Sequence, residues 1–225
     1  MKKIAFLLSL CFFSCRPFGE TMQNAELTHL PEHNPSAYEI TQQDFTLPAA
    51  ACDLVYFSQN DSRWADKNYG PQNRISTYGC GPTVLAMLVS GFTEQSIQPD
   101  EMAEWCYENG FFSQNSGSYH SIIPDGARAW GLDVKSLNDR SYHGITQELY
   151  SGRLVVLLMG KGHFTDSGHF IILRNVTLEG DFLIADPNSR ENSLLPWEPE
   201  IILSEIKGSY DAGGPAWSIG AIRKP

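Results

Sequence analysis

Apolar residues are spread unevenly along the chain, and their spacing changes character twice. The first run, Ile4 to Phe13, is broken only by Ser9, follows Lys2 and Lys3, and gives way to small and polar residues from Ser14. A basic start, a short apolar stretch and small residues after it follow the plan of a secretory signal. The run is shorter than the roughly 20 apolar residues of a membrane-spanning helix, and no later segment reaches that length. From Arg16 to about Ala51 the chain is rich in Gln, Asn, Pro, Thr and Glu with little apolar periodicity. Such a segment cannot bury enough surface to offset its ordering entropy, so it reads as a linker or tether. Residues 1–15 are thus expected to be a signal, 16–51 a linker and 52–225 one folded domain.

Within the domain the pattern predicts helices first and strands second. Leu54 to Phe57 reads as a short strand, followed by a loop rich in Asn, Asp, Gly and Pro that reaches Gly79. Val84, Leu85, Leu88 and Val89 recur at helical spacing, which predicts a helix from Cys80 to about Gly91 with that face in the core. Pro99, Asp100 and Glu101 suit the first turn of a second helix ending near Gly110. Two more are expected near Ile122 to Trp130 and Ile145 to Tyr150. After Arg153, Leu154 to Met159 and Phe170 to Leu173 are continuous apolar runs of strand length. Asn175 to Ala185 reads as a hairpin turning at Glu179-Gly180, and Trp217 to Ile222 as a closing strand. The expected fold class is α+β, a helical first half packed on an antiparallel sheet.

Charge removes several functions. With 16 Lys+Arg against 26 Asp+Glu the formal net charge is −10, which argues against nucleic acid or an anionic membrane surface as partner. No basic cluster, heptad pattern, internal repeat or Gly-rich phosphate loop interrupts the domain. Five cysteines stand at positions 11, 15, 52, 80 and 106, the first two in the signal. No two of the remaining three have zinc-site spacing, so neither a metal nor another cofactor is implied. In an oxidising compartment an odd count points to one thiol kept free; Cys52 and Cys106 either pair or stay reduced. Phe12-Phe13-Ser14-Cys15 resembles the lipobox of bacterial lipoproteins, although Phe12 stands where an aliphatic residue is usual. A lipidated Cys15 would tether the protein to the cell envelope; ordinary cleavage nearby would secrete it.

Candidate chemistry gathers where the predicted elements begin. Tyr78-Gly79-Cys80-Gly81-Pro82-Thr83 puts a cysteine in the first turn of a helix, where free backbone amides and the helix dipole favour the thiolate. The flanking glycines would let a substrate backbone approach closely. Gly168-His169 directly precedes the strand Phe170 to Leu173, and Asp186-Pro187-Asn188 follows the hairpin strand, so neighbouring strands would present both side chains at one edge. An ordinary thiol with a pKa near 8.5 is only a few per cent ionised at neutral pH, and a cysteine hydrolase therefore needs a base and a group to orient it. His163, six positions before His169, is a second candidate for the base. His120 is expected at a loop or cleft and His143 in a solvated loop. Trp64, Tyr119 and Trp130 either wall a cleft or fill the core.

These motifs, with Gln59-Asn60-Asp61-Ser62-Arg63-Trp64 upstream and Ala185-Asp186-Pro187-Asn188 downstream, resemble the bacteriocin-processing-peptidase-like cysteine peptidases of the papain-like clan, from about Tyr56 to Asn188. The resemblance implies a papain-like fold with Cys80 as nucleophile, His169 as general base and acid, and Asp186 as the orienting carboxylate. It also implies that the Gln59 side chain, with the backbone amide of Cys80, forms the oxyanion hole. Nothing here reads as the transporter or ATP-binding domain to which bacteriocin exporters join such a peptidase, so processing of a double-glycine leader is not implied. The activity expected is that of an exported cysteine peptidase or amide hydrolase acting on a peptide or peptide-like amide. A cell-wall peptide amidase or transpeptidase would use the same residues, and a non-catalytic surface binding module on the same fold is the alternative.

Overall fold

The structure is a computed structural model that describes residues 45–222. The expected signal with Cys15, and the expected linker as far as residue 44, lie outside the described residues. The last part of that linker departs from expectation. Phe45–Pro48 forms strand β1, which pairs antiparallel with β2 (Asp53–Tyr56) and buries Leu47. Two apolar positions were too few to register as a periodicity.

Two short hairpin strands, β3 (Asn68–Tyr69) and β4 (Asn73–Arg74), and the single turn α1 (Ile75–Tyr78) fill the loop before Gly79. Helix α2 (Cys80–Phe92) follows. Every residue from Gly81 to Val89 is buried, so α2 is sunk in the core on all sides rather than on one face. The glycines beside Cys80 serve this packing. A Cβ at Gly79 would stand 2.5 Å from the Ile75 carbonyl oxygen, and one at Gly81 would stand 2.6 Å from the Ser118 hydroxyl. They admit the protein's own backbone and side chains rather than a substrate.

Helix α3 (Pro99–Glu108) is capped by a reciprocal pair in which Gln98 and Glu101 exchange side-chain and backbone bonds. The hairpin β5 (Phe112–Ser113) and β6 (Gly117–Ser118) packs beside the start of α2. Proline divides the third expected helix into a 3-10 turn at His120–Ile122 and α4 (Pro124–Ala129). Strand β7 (Leu132–Ser136) comes next, unforeseen in the sequence. Helix α5 (Tyr142–Tyr150) begins three residues earlier than its apolar pattern because Ser141 accepts a bond from the Gly144 amide and sets the cap.

The sheet then forms from β8 (Leu154–Met159), β9 (His169–Val176), β10 (Phe182–Ala185), α6 (Arg190–Leu194), β11 (Pro196–Trp197), α7 (Pro199–Ser204) and β12 (Ala216–Ala221). The strand order is β11-β10-β9-β8-β12-β7, antiparallel throughout. One face packs on the core that holds α2; the other packs on a second cluster with Ile145, Leu149 and Ile202. The α+β class with an antiparallel sheet is the expected one. The ladder between β9 and β10 carries a bulge: Leu183 pairs with Asn175 but Ile184 with Leu173, leaving Arg174 without an opposite number. The Arg174 side chain is buried and donates to the carbonyls of Ile184 (2.9 Å), Pro48 (2.6 Å) and Ser193 (3.1 Å). Three charge-assisted bonds thus fasten β1 and α6 to the sheet.

Candidate active site

Cys80 is the first residue of α2, His169 the first of β9, and Asp186 follows β10 directly. The three elements end at one side of the sheet, and there the three side chains meet. His169 Nε2 bonds Asp186 Oδ1 at 2.7 Å, and the Cys80 thiol hydrogen-bonds the same ring. With Nε2 taken, Nδ1 is the nitrogen left for sulfur.

The carboxylate is held from several directions. Asp186 is only 1% exposed; its Oδ1 also accepts from the Asn188 amide at 2.8 Å, and its Oδ2 accepts from Asn192 Nδ2 at 2.8 Å. Its own backbone amide donates to Ser193 Oγ, and its carbonyl accepts from the Tyr56 hydroxyl. A buried carboxylate held by this many donors cannot turn away from the imidazole.

Electrostatics set Cys80 apart from the other thiols. Burial alone would push its pKa up, but the hydrogen bond and charge of His169, with the backbone amides of Phe170 and Gly81, outweigh burial and hold it below the ordinary thiol value. Burial likewise opposes the charge on His169, yet Asp186 and Cys80 together raise it to about 10. Both shifts favour the thiolate and imidazolium forms of the pair. Cys52 and Cys106 are free thiols without a disulfide between them. Burial raises Cys52 to about 11 and Cys106 well above the ordinary value.

Gln59 is buried beside this series. Its Nε2 donates to the Ser76 carbonyl at 2.7 Å, which uses one of its two amide hydrogens, while its Oε1 is buried with no hydrogen-bond partner among the described residues. Gln59 and Cys80 line one lobe of a groove, of about 530 Å³, together with the loop from Gly162 to Gly168. A second lobe, of about 400 Å³, lies across Cys80 and His169 and is walled by Ser118, His120 and Lys207.

The other candidates fall elsewhere. His163 is 57% exposed and pairs through Nδ1 with Glu205 rather than with Cys80, although it lines the first lobe. His120 pairs with Asp211 at 2.8 Å on the rim of the second lobe. His143 is exposed in the first turn of α5 rather than in a loop. Trp64 and Trp130 are core residues and Tyr119 is exposed; none of the three lines the groove. Sequence reasoning missed Glu205 and Lys207. They flank Ile206, which bridges to Met159 at the end of β8, and they grip the loop before His169 through the His163 amide and the Ser167 carbonyl. Neither belongs to a motif, and no local signal marks them. Among the described residues no group of three His, Cys, Asp or Glu side chains is placed to hold a metal.

A helix bearing a cysteine, packed on an antiparallel sheet that brings a histidine and a carboxylate to it, defines a cysteine-peptidase-like protein. The chain belongs to the Peptidase_C39 like family, whose model matches residues 52–214. No curated protein matches it. Among solved structures it is similar to the peptidase domain of Streptococcus ComA, a bi-functional ABC transporter involved in a quorum sensing pathway. That likeness has 16% identity and a TM-score of 0.46, over 65% of this chain and 93% of that one. It is also similar to a Bacillus anthracis protein described as a C39-like peptidase, with 15% identity and a TM-score of 0.46 over 81% and 100% of the two chains.

Proposed function

We propose that the protein is a cysteine hydrolase that cleaves a peptide or peptide-like amide through a Cys80-His169-Asp186 triad and a thioester intermediate. The observation that carries this reading is the meeting of Cys80, His169 and Asp186 at the ends of three elements, with His169 bonded to Asp186 at 2.7 Å and to the Cys80 thiol; Cys80 is shifted down while the two other described thiols shift up. The Cys80 thiolate attacks the amide carbonyl, forming a carbon–sulfur bond and an oxyanion. The free amide hydrogen of Gln59 and the backbone amide at the start of α2 are the donors for that oxyanion. His169 gives its Nδ1 proton to the leaving nitrogen as the carbon–nitrogen bond breaks. The neutral imidazole then takes a proton from water, the resulting hydroxide adds to the thioester, and the thiolate leaves with the imidazolium restored. Asp186 keeps the ring oriented at both steps and stabilises its charge.

The test is incubation with a mixed peptide and cell-wall fragment library, with products read by mass spectrometry. Products formed by the wild type and absent with Cys80→Ser support the reading. No product from any substrate, with Cys80 still readily labelled, would leave a binding module in its place. The reading includes export, with Cys15 as a lipidation site. Partition of the protein with membranes, lost in Cys15→Ser, supports the tether, and a mature end beyond Cys15 in the culture medium rules it out.

A further inference from the structure

The two lobes that meet at Cys80 carry charge of opposite sign. The Gln59 lobe is lined by Asp166 and by no lysine or arginine; the second lobe is lined by Lys207 and by no aspartate or glutamate. In a chain with 26 acidic against 16 basic residues, an ammonium in a lobe whose one carboxylate, Asp211, lies on the rim and is paired with His120 is an exception to the surface as a whole.

Lys207 is fixed in place. Its backbone amide donates to the Leu158 carbonyl at 2.9 Å and its Nζ to the Ser167 carbonyl at 2.5 Å. A methyl group at Gly168 would lie 3.4 Å from Nζ, so the ammonium sits beside the residue preceding His169. One of its three N–H groups is used, on a neutral oxygen that leaves the charge uncompensated. No carboxylate among the described residues pairs with it. The polar wall includes Asn115, Ser116 and Ser118, neutral groups that can donate to an anion, and His120, which is paired with Asp211.

We propose that this lobe binds an acidic side chain of the substrate, adjoining the scissile amide, with Lys207 as the specificity-determining residue. The proposal rests on Cys80 being the nucleophile of a hydrolase. A substrate carboxylate reaching the free N–H groups of Lys207 forms a charge-assisted pair in a partly buried groove, a geometry that favours the anion over its neutral isostere by about tenfold or more. An extended substrate crossing Cys80 places one flanking residue in each lobe, so the preference falls on one side of the cleaved bond.

Two probes test this. The first is labelling of Cys80 by N-bromoacetyl-glutamate α-amide against N-bromoacetyl-glutamine α-amide, equal in size and different in charge, which needs no turnover. The ratio of the two rates within each variant cancels any effect on the thiol itself. The wild type should favour the glutamate reagent about tenfold. Lys207→Met should bring the ratio to one or below, Lys207→Arg should keep it, and Lys207→Glu should invert it. The second probe is a set of end-blocked, internally quenched peptides with Glu or Gln at each position around the bond, in which kcat/KM should follow the same order. A preference that survives Lys207→Met, or is missing from the wild type, overturns the proposal. So does acceleration by bromoacetyl-glycine alone, which would assign the lobe to a terminal carboxylate. Charge-selective labelling that depends on Lys207, without cleavage of any peptide, would uphold the lobe and sink the hydrolase; cleavage indifferent to charge would do the reverse.

Discussion

The backbone amide of Gln59 donates to the Pro187 carbonyl at 2.7 Å, so the glutamine is fastened to the residue that follows the site's carboxylate. Asn60 Nδ2 doubles the tie with bonds to the Asn188 carbonyl and side-chain oxygens, both at 3.0 Å. Because the first bond uses main chain only, Gln59→Ala should remove the carboxamide and leave the loop where it is. Hydrolysis should fall by about 10²–10³, the usual cost of one oxyanion donor. The rate at which Cys80 alkylates, and its pH dependence, should not change. Full turnover by Gln59→Ala would exclude the oxyanion role.

Ionisation of the pair fixes the shape of the pH profile. Alkylation of Cys80 should persist below the ordinary thiol range near pH 8.5, and should decline as pH falls through the lowered Cys80 value and protonates the thiolate. At the other limb, His169 stays protonated past neutrality and loses its proton as pH rises through about 10. Hydrolysis, which needs thiolate and imidazolium together, should occupy the plateau between these limits. His169→Ala should carry the alkylation profile upward to that of a partly buried, unpaired thiol. Among the three described cysteines, mass spectrometry at neutral pH should find Cys80 labelled ahead of Cys52 and Cys106, which are pushed up.

Asp186→Asn should keep the shape of the site and change its chemistry. Asn188 and Asn192 donate to the present carboxylate, and an amide can accept only part of that pattern while presenting two hydrogens of its own. Turnover should fall by up to about 10⁴, as when a triad histidine is held in the wrong tautomer. The pH limb that reports the imidazolium should move down, because the negative partner that raises His169 is gone. An unchanged limb would remove Asp186 from the series.

Gly81→Ala tests the packing at the start of α2. The new methyl would sit 2.6 Å from Ser118 Oγ and 3.1 Å from Ile122 Cδ1, and overpacking of this kind costs about 1–3 kcal/mol. A denaturant titration should show the loss. Adding Ser118→Gly should recover part of it, since the two sites share one contact. Equal and additive losses would place the strain elsewhere.

What was legible in the chain follows from how local the information is. The helix at Cys80 and the strands at 154–159 and 169–176 declare themselves through apolar patterns within a few residues, and the positions of Cys80, His169 and Asp186 at element ends follow from them. Strand β7 was missed because Leu132 and Val134 are its only apolar residues and its partner, β12, lies more than 80 positions on. Glu205 and Lys207 were missed for the same reason in sharper form: each acts as a single side chain at the end of a long loop closure. The glycines at 79 and 81 were visible, but the reason for them was not, because the atoms they accommodate belong to Ile75, Ser118 and Ile122.

The extra residue in β9 decides on which side of the sheet Asp186 emerges. Residues paired directly across an antiparallel ladder share a face, and alternate residues along a strand change face. With the bulge, Ala185 stands opposite Ile172, so Asp186, next in line, takes the face shared by Ile171 and His169. In an unbroken register Ala185 would stand opposite Leu173, and Asp186 would emerge on the reverse face, about 3 Å further from the histidine along the strand. The contact at 2.7 Å is therefore a matter of odd and even. The turn between Thr177 and Asp181 can lengthen or shorten without touching this count, whereas losing one residue between Phe170 and Val176 would exchange inside for outside and part the imidazole from its carboxylate while leaving every strand in place.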